Sequence, residues 1–164
     1  MNRITAYIRQ SLQDIYPPEE VKALSMLICC DMLGVDALDI YMGKDIILSA
    51  CKRRELENII FRLQKNEPIQ YIRGYAEFCG RNFRVAPGVL IPRPETAELV
   101  DLIVKENPDA RRLLDIGTGS GCIAISLDKN LPDAKVDAWD ISEEALAIAR
   151  KNNEELDAQV TFRR

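Results

Sequence analysis

The residues best suited to chemistry lie in Leu113–Ala124, LLDIGTGSGCIA, where Asp115 precedes glycines at 117, 119 and 121. Glycines permit positive φ and let a ligand approach the backbone, and the helix expected next offers free N–H groups to a polar ligand. A second acid, Asp140, lies near the end of the next predicted strand, AKVDAWDI. An acid so placed can hydrogen-bond the ribose hydroxyls of an adenosine. The pattern therefore predicts a nucleoside-type cofactor site, against the alternative of a merely tight strand–helix turn.

The glycine spacing favours one class of cofactor. A dinucleotide fingerprint reads G-x-G-x-x-G, whereas this loop reads G-x-G-x-G, with its third glycine one residue early. Asp115 suits a ligand with a cationic amino group and no pyrophosphate, which describes the methionine part of S-adenosylmethionine. A nicotinamide-dependent oxidoreductase stays open as an alternative, and either acid taken alone could be a surface loop residue.

Composition narrows the function classes. The 22 basic and 26 acidic residues give a net charge of −4, which argues against a general nucleic-acid binder. No histidine is present, so the commonest general base and every Ser–His or Cys–His pair are excluded. Five cysteines without a Cys-x-x-Cys pair are interpreted as small buried thiols in a reducing cytosol, with no metal site. Without a membrane-spanning run or a secretory signal, the chain is predicted to be cytoplasmic, with no membrane partner.

Two kinds of element should position these residues. Apolar residues recurring every three or four positions predict helices over about the first 66 residues, including Ile4 to Ile15, a helix begun by Pro18 and stopped by Gly34, a short segment at 36–41, and a helix from Ser49 to Lys65. Tyr75 to Gly88 reads as a β-hairpin that turns around residues 79–82.

The second half alternates strands with helices. A helix begins at Pro94, and its inner face is predicted to comprise Leu99, Val100, Ile103 and Val104. From Arg111 the order is β-α-β-α-β, with Ser142 capping the last helix, which implies a parallel sheet.

Three stretches stand out together: EPIQYIRGYAEFCGRNFRVAPGVLIPRPETAELV, LLDIGTGSGCIAISL and DAWDISEEALAIARKN. They resemble the HemK/PrmC family, which methylates the glutamine of the Gly-Gly-Gln motif in peptide chain release factors. The resemblance implies an α/β fold: a small helical substrate-recognition domain at 1–67, a β-hairpin linker at 68–94, and a partial, Rossmann-like S-adenosylmethionine-binding sheet at 95–164.

The resemblance also implies roles for individual residues. The cofactor would be held by Asp115, Gly117, Thr118, Gly119, Ser120, Gly121, Asp140 and Ile141. The stretch GVLIPRPET would line the cofactor and substrate cleft through Pro92, Arg93, Pro94, Glu95 and Thr96, with a structural ion pair as the alternative for Arg93. Asn66 and Ala97 depart from residues common in the family.

The family's catalytic signature, Asn-Pro-Pro-Tyr, does not occur in the 164 residues. By resemblance its asparagine and a proline carbonyl place the substrate amide for attack on the methyl group. We therefore expect an N-terminal portion of a methyltransferase that has no catalytic residue of its own and is inactive alone. A non-catalytic partner-binding module is the alternative.

Overall fold

The computed structural model describes residues 2–164, and the chain divides into two compact units, Met1–Arg73 and Gly74–Arg164. The first unit is helical, and the second combines an antiparallel hairpin with a parallel sheet and helices. The predicted fold class is thereby confirmed. The three functional domain boundaries stay a prediction, although the hairpin groups with the sheet because Phe78 and Phe83 are buried in the core of the second unit.

The described part of the first unit contains five α-helices and one π-helical turn. Asn2, Asp36 and Ser49 each accept a backbone N–H at a helix start, which satisfies a donor that the helix itself leaves free. Within residues 2–73 the helical segments are α1 (Arg3–Leu12), α2 (Pro18–Met26), the π-helical turn (Leu27–Met32), α3 (Ala37–Tyr41), α4 (Ala50–Gln64) and α5 (Ile69–Arg73).

The core of this unit forms one cluster between α1, α2, the π-helical turn and α4. Fully burying a large aliphatic side chain stabilises the fold by about 1.5–3 kcal/mol. The inner face predicted for α4 is confirmed, since Leu56, Ile59, Ile60 and Leu63 are all buried. Asn66 adopts φ of 58° just beyond α4, as a left-handed cap requires.

Three features of the first unit differ from the prediction. The second helix widens into a π-helical turn before Gly34 ends it at φ of 63°. The five-residue helix α5 is additional, because Pro68 both blocks α4 from continuing and starts α5 by accepting the N–H of Tyr71. Ile15 lies beyond the end of α1 and is 41% exposed, so it does not extend the apolar face of that helix.

The second unit begins with the predicted hairpin. Phe78 pairs with Arg81, so the turn is only two residues long: Cys79 and Gly80, at φ of 47° and 69°. Two successive positive φ values match the right-handed twist of the flanking strands. The elements of this unit are β1 (Tyr75–Phe78), β2 (Arg81–Arg84), α6 (Pro94–Glu106), β3 (Arg112–Ile116), α7 (Cys122–Asn130), β4 (Lys135–Trp139), α8 (Glu143–Glu155) and β5 (Thr161–Arg163).

The parallel sheet has the order β3-β4-β5. Apolar residues of one sheet face, such as Val136 and Ala138, share a core with residues of α6 and α7, whereas Leu114, Ile116 and Trp139 on the opposite face are 49%, 74% and 43% exposed. Ile116 pairs with Trp139, so β3 and β4 end side by side at one edge of the sheet. Whatever follows these two strands is therefore brought together.

Helix α6 buries a narrower stripe than predicted. Val100 is fully buried and Ile103 and Val104 are half-buried, but Leu99 is 47% exposed, so its assignment to the inner face is wrong. Leu99 lies one residue, or about 100° of helical rotation, from Val100, which turns it out of the stripe.

Candidate functional site

The loop between β3 and α7 is tied to the neighbouring strand. The backbone N–H groups of Gly117 and Thr118 both donate to the carbonyl of Trp139, at 2.8 and 3.0 Å, and Gly121 donates to the carbonyl of Thr118 at 2.9 Å. These bonds anchor the start of the loop on β4 and close its end into a turn before α7 begins. The glycine loop is thus held in a defined shape at the carboxyl edge of the sheet.

The three glycines of this loop serve two purposes. Gly117, Gly119 and Gly121 have φ of 79°, 56° and 79°, a region that disfavours any side chain. A Cβ on Gly121 would meet Ile125 Cδ1 at 3.1 Å and Ala149 Cβ at 3.2 Å, so Gly121 is also required by packing. A Cβ on Gly117 or Gly119 would have no atom within 4 Å, so these two present bare backbone to open space, as a ligand-binding loop does.

Asp140 joins the glycine loop to the start of α8. One oxygen of its carboxylate accepts the N–H of Gly119 at 2.9 Å, and the other accepts the N–H of Ser142 at 2.9 Å. These two bonds fix the orientation of the carboxylate. Because an ionised carboxylate has about four acceptor positions, it keeps capacity for ligand hydroxyls.

Asp115 lies beneath the same loop. Its carboxylate accepts the hydroxyl of Thr118 at 2.7 Å. Burial raises the pKa of the Asp115 carboxyl, opposed by the Thr118 hydroxyl and the Ala124 N–H, while the negative charge of Asp140 raises it further. A cationic group placed at this edge would relieve the repulsion between the two acids.

The N-terminus of α7 directly follows the loop. Its N-cap is Gly121, which has no side chain to cap the helix, and the carboxylate of Asp115 accepts the first-turn N–H of Ala124. Ser120 is buried, and its carbonyl accepts a side-chain amide from α8. Burial raises the pKa of the adjacent Cys122 thiol, so this cysteine is a small neutral residue against the sheet.

The residues predicted to line a cleft form the entry to α6. Arg93 is extended, at φ of −103° and ψ of 145°, as expected before a proline, and its carbonyl accepts the N–H of Thr96. Arg93, Pro94 and Glu95 are exposed, whereas Pro92 and Thr96 are half-buried. Within residues 2–164 Arg93 makes no ion pair, so the structural alternative for this residue is not realised there.

The predicted site residues thus fall into two groups. Asp115, the residues of the glycine loop and Asp140 meet through hydrogen bonds, and Ile141 follows them with 88% of its surface exposed. Over the described residues, no hydrogen bond joins the 92–96 segment to the glycine loop. The roles assigned to both groups stay predictions.

Other properties of residues 2–164 bear on the site. No three cysteine, aspartate or glutamate side chains in that range cluster so as to hold a metal ion. Every helix in the same range is too short or too polar to span a bilayer. All five cysteines are free thiols, but only Cys29 and Cys122 are buried; Cys51 is exposed and Cys30 and Cys79 are half-buried, so the prediction that all five are buried is wrong. A groove of about 410 Å³ lies in the helical unit, lined in part by Tyr7, Ile47 and Leu56, and none of its lining residues belongs to the glycine loop.

One site residue was not found from the sequence. Asn152 on α8 is fully buried and donates to the carbonyl of Ser120 in the glycine loop at 2.8 Å. An asparagine near the end of an amphipathic helix looks like a surface residue, and no local pattern identifies a partner 32 positions away.

Sequence comparisons connect the chain with methyltransferases. Residues 4–74 match the family profile described as "PrmC N-terminal domain", and residues 95–164 match "Methyltransferase small domain". A release factor glutamine methyltransferase of Bacteroides thetaiotaomicron is 99% identical over 164 residues, which is 100% of this chain and 59% of that protein. One of Flavobacterium psychrophilum is 41% identical over 158 residues, covering 93% of this chain and 55% of that protein. The chain therefore spans somewhat more than half the length of these relatives.

Solved structures match parts of the chain at low similarity. A tRNA (uracil-54, C5)-methyltransferase of Pyrococcus abyssi, in complex with S-adenosyl-L-homocysteine, has a TM-score of 0.46 and 23% identity, over 54% of this chain and 22% of that one. A putative O-methyltransferase of Klebsiella pneumoniae has a TM-score of 0.41 and 22% identity, over 78% of this chain and 49% of that one.

Proposed function

The chain belongs to the HemK/PrmC family, and from that premise we propose that it binds S-adenosylmethionine at the glycine loop. The whole protein would use this site to methylate N5 of the glutamine in the Gly-Gly-Gln motif of peptide chain release factors. The family assignment rests on the N-terminal family match at residues 4–74 and the 99% identical relative. The substrate is inferred from the activity that the relatives' names state.

One observation carries the proposal: Asp115, the glycine loop and Asp140 are joined by hydrogen bonds at the carboxyl edge of β3 and β4. That edge is where ligands bind in parallel α/β sheets. Asp140 is oriented to accept ribose hydroxyls, and Asp115 lies where a cationic amino group would offset its unfavourable burial. The open space beside Gly117 and Gly119 lets a ligand contact the backbone of the loop, which a side chain at either position would block.

When bound, S-adenosylmethionine supplies a methyl group activated by its sulfonium. The residues of this chain would bind and orient that group and would supply no general base. Catalysis by positioning suits a chain without histidine, since holding two reactants in line can itself provide a large part of a rate enhancement. Because Asn-Pro-Pro-Tyr does not occur in the 164 residues, we expect them to bind the cofactor without turning it over. The cysteines of the chain are free thiols and the proposed substrate is a translation factor, so we place the reaction in the reducing cytoplasm.

The proposal is tested by calorimetric titration of the chain with S-adenosylhomocysteine and, separately, with NADH. We expect saturable binding of S-adenosylhomocysteine and none of NADH. Asp140→Asn should weaken binding by about tenfold or more, because a charge-assisted hydrogen bond is lost. The matched control is Asp133→Asn, at the opposite edge of the sheet, where the side chain is 84% exposed and forms a surface ion pair with Arg111.

Tighter binding of NADH would refute the cofactor assignment and favour the oxidoreductase alternative. Equal binding by Asp140→Asn and the unsubstituted chain would refute the role of Asp140. For the whole protein, transfer of a labelled methyl group to a release factor, lost when the Gly-Gly-Gln glutamine is replaced, tests the substrate.

A further inference from the structure

We propose that Asn152 is a positioning residue that sets the place of the glycine loop and couples it to the β-hairpin. Asn152 lies on α8, outside the glycine loop, and none of the atoms expected to contact a ligand belongs to it. Its effect on ligand binding rests on the function proposed above, whereas its coupling of the two segments does not.

The side-chain amide of Asn152 makes three hydrogen bonds. Its Oδ1 accepts the backbone N–H of Arg84 at 2.7 Å, and its Nδ2 donates to the carbonyls of Arg84 at 3.1 Å and Ser120 at 2.8 Å. Both donors and one acceptor position are therefore used. The partners fix the orientation of the amide, because the flipped arrangement would set an N–H against the N–H of Arg84.

These bonds satisfy backbone groups of two different segments, the hairpin and the glycine loop. Towards the hairpin, the amide pairs with both backbone groups of Arg84, as a further strand would pair with the edge of β2. Towards the loop, it satisfies the carbonyl of Ser120, one residue before the N-cap of α7. One buried side chain thus joins two segments that are 36 residues apart in sequence (120 − 84).

Neighbouring residues on the same face of α8 reinforce this contact. Residues three apart on a helix lie on one face. Ala149 approaches Gly121 so closely that an added Cβ would come within 3.2 Å, and Glu155 forms an exposed ion pair with Arg84. The face formed by Ala149, Asn152 and Glu155 therefore contacts the glycine loop at one end and the hairpin at the other.

The location of Arg84 gives the coupling a consequence for the site. Arg84 is the last residue of β2, and the chain then runs through buried Val85 and Val89 to Pro92 and the start of α6. By holding Arg84 and Ser120 to one amide, Asn152 fixes the start of this segment relative to the glycine loop. A buried polar side chain costs stability unless it is fully hydrogen-bonded, and it then specifies a single arrangement.

The first test uses the unsubstituted chain and needs no ligand. Nuclear magnetic resonance reports the exchange of side-chain amide protons with solvent. We expect the Asn152 pair to exchange at least about tenfold more slowly than the pair of Asn153, since a hydrogen bond of ordinary strength contributes about a factor of ten. Among the described residues Asn153 bonds only through its oxygen, which accepts the N–H of Val160 at 3.0 Å. Equal rates for the two side chains would overturn the proposal.

The second test compares Asn152→Ala with the matched control Asn153→Ala. In Asn152→Ala we expect the backbone amides of residues 117–121 and of Arg84 to exchange faster, and the acceleration should be about ten times larger than that of the β4 amides. Binding of S-adenosylhomocysteine should weaken by about tenfold. Asn153→Ala should change neither. If Asn152→Ala speeds exchange equally in the loop and in β4, the residue is merely structural and the proposal fails.

Two further outcomes are decided in advance. If the unsubstituted chain does not bind S-adenosylhomocysteine, the proposed function fails, and the exchange rates still decide the coupling. If Asn152→Ala does not fold, titration of the unsubstituted chain decides: S-adenosylhomocysteine must shift the resonances of both the Asn152 side chain and the Arg84 amide, and an unmoved pair overturns the proposal.

Discussion

The two outer glycines of the loop allow packing to be separated from backbone strain. Gly117 and Gly121 have the same φ of 79°, so alanine at either position must adopt a left-handed φ, which costs about 1–2 kcal/mol. At Gly117 the new methyl has no atom within 4 Å. At Gly121 it meets Ile125 Cδ1 at 3.1 Å and Ala149 Cβ at 3.2 Å. Ile125 can rotate away, but Ala149 is fixed to the backbone of α8.

The expected destabilisation follows from these distances. Overpacking a filled site costs about 1–3 kcal/mol. Gly121→Ala should therefore lower the free energy of unfolding by about 2–5 kcal/mol, and Gly117→Ala by about 1–2 kcal/mol. Urea denaturation followed by the fluorescence of Trp139, the only tryptophan, measures the second unit specifically.

The comparison also separates stability from binding. Because the methyl of Gly117→Ala projects into the space beside the loop, this variant should lose affinity for S-adenosylhomocysteine out of proportion to its small loss of stability. Equal destabilisation by the two substitutions would refute the packing argument. Unchanged affinity in Gly117→Ala would refute the assignment of that space to a ligand.

Three further predictions concern charge and thiols. Burial raises the pKa of Asp115 above its ordinary 3.8, so the folded state binds the proton more tightly and the free energy of unfolding falls as pH rises above that value. Asp115→Asn should therefore raise the free energy of unfolding at pH 7. Denaturation curves of both proteins, recorded in parallel, should show this gain shrinking as pH falls towards 3.8. Arg84→Ala should lower the free energy of unfolding, measured by urea denaturation, by less than about 1 kcal/mol, because both partners of its ion pair with Glu155 are exposed. A larger loss would contradict this. In native protein at pH 8 a thiol reagent should first label exposed Cys51, and Cys51→Ser should abolish that fast phase; buried Cys29, whose pKa is raised to about 11, should react only on unfolding.

Local sequence patterns account well for the second unit. CIAISLDKN predicts a helix and forms α7 at Cys122–Asn130, and Ser142 caps α8 by accepting the N–H of Ala145. Glycines, caps and apolar alternation act over a few residues, so they are legible in one segment at a time. Asp115 and Asp140 could be predicted to lie close together because each comes at the end of a strand, and consecutive parallel strands end at the same edge of the sheet.

Three features could not be predicted from apolar spacing and caps. The π-helical turn at Leu27–Met32 is marked by bonds such as that from the N–H of Leu33 to the carbonyl of Ile28, which no apolar spacing predicts. Helix α5 is too short to show a period. The role of Asn152 emerges only when Arg84 and Ser120 are brought to it by the fold.

The bonds from Gly117 and Thr118 to the carbonyl of Trp139 have a consequence for association kinetics. Because the loop is ordered by the strand beside it, its conformational entropy is lost when the unit folds and not when a ligand arrives. Ligand capture then requires no prior rearrangement of the loop. Stopped-flow mixing should therefore show a single phase whose rate rises linearly with ligand concentration, with no plateau from a slow closing step.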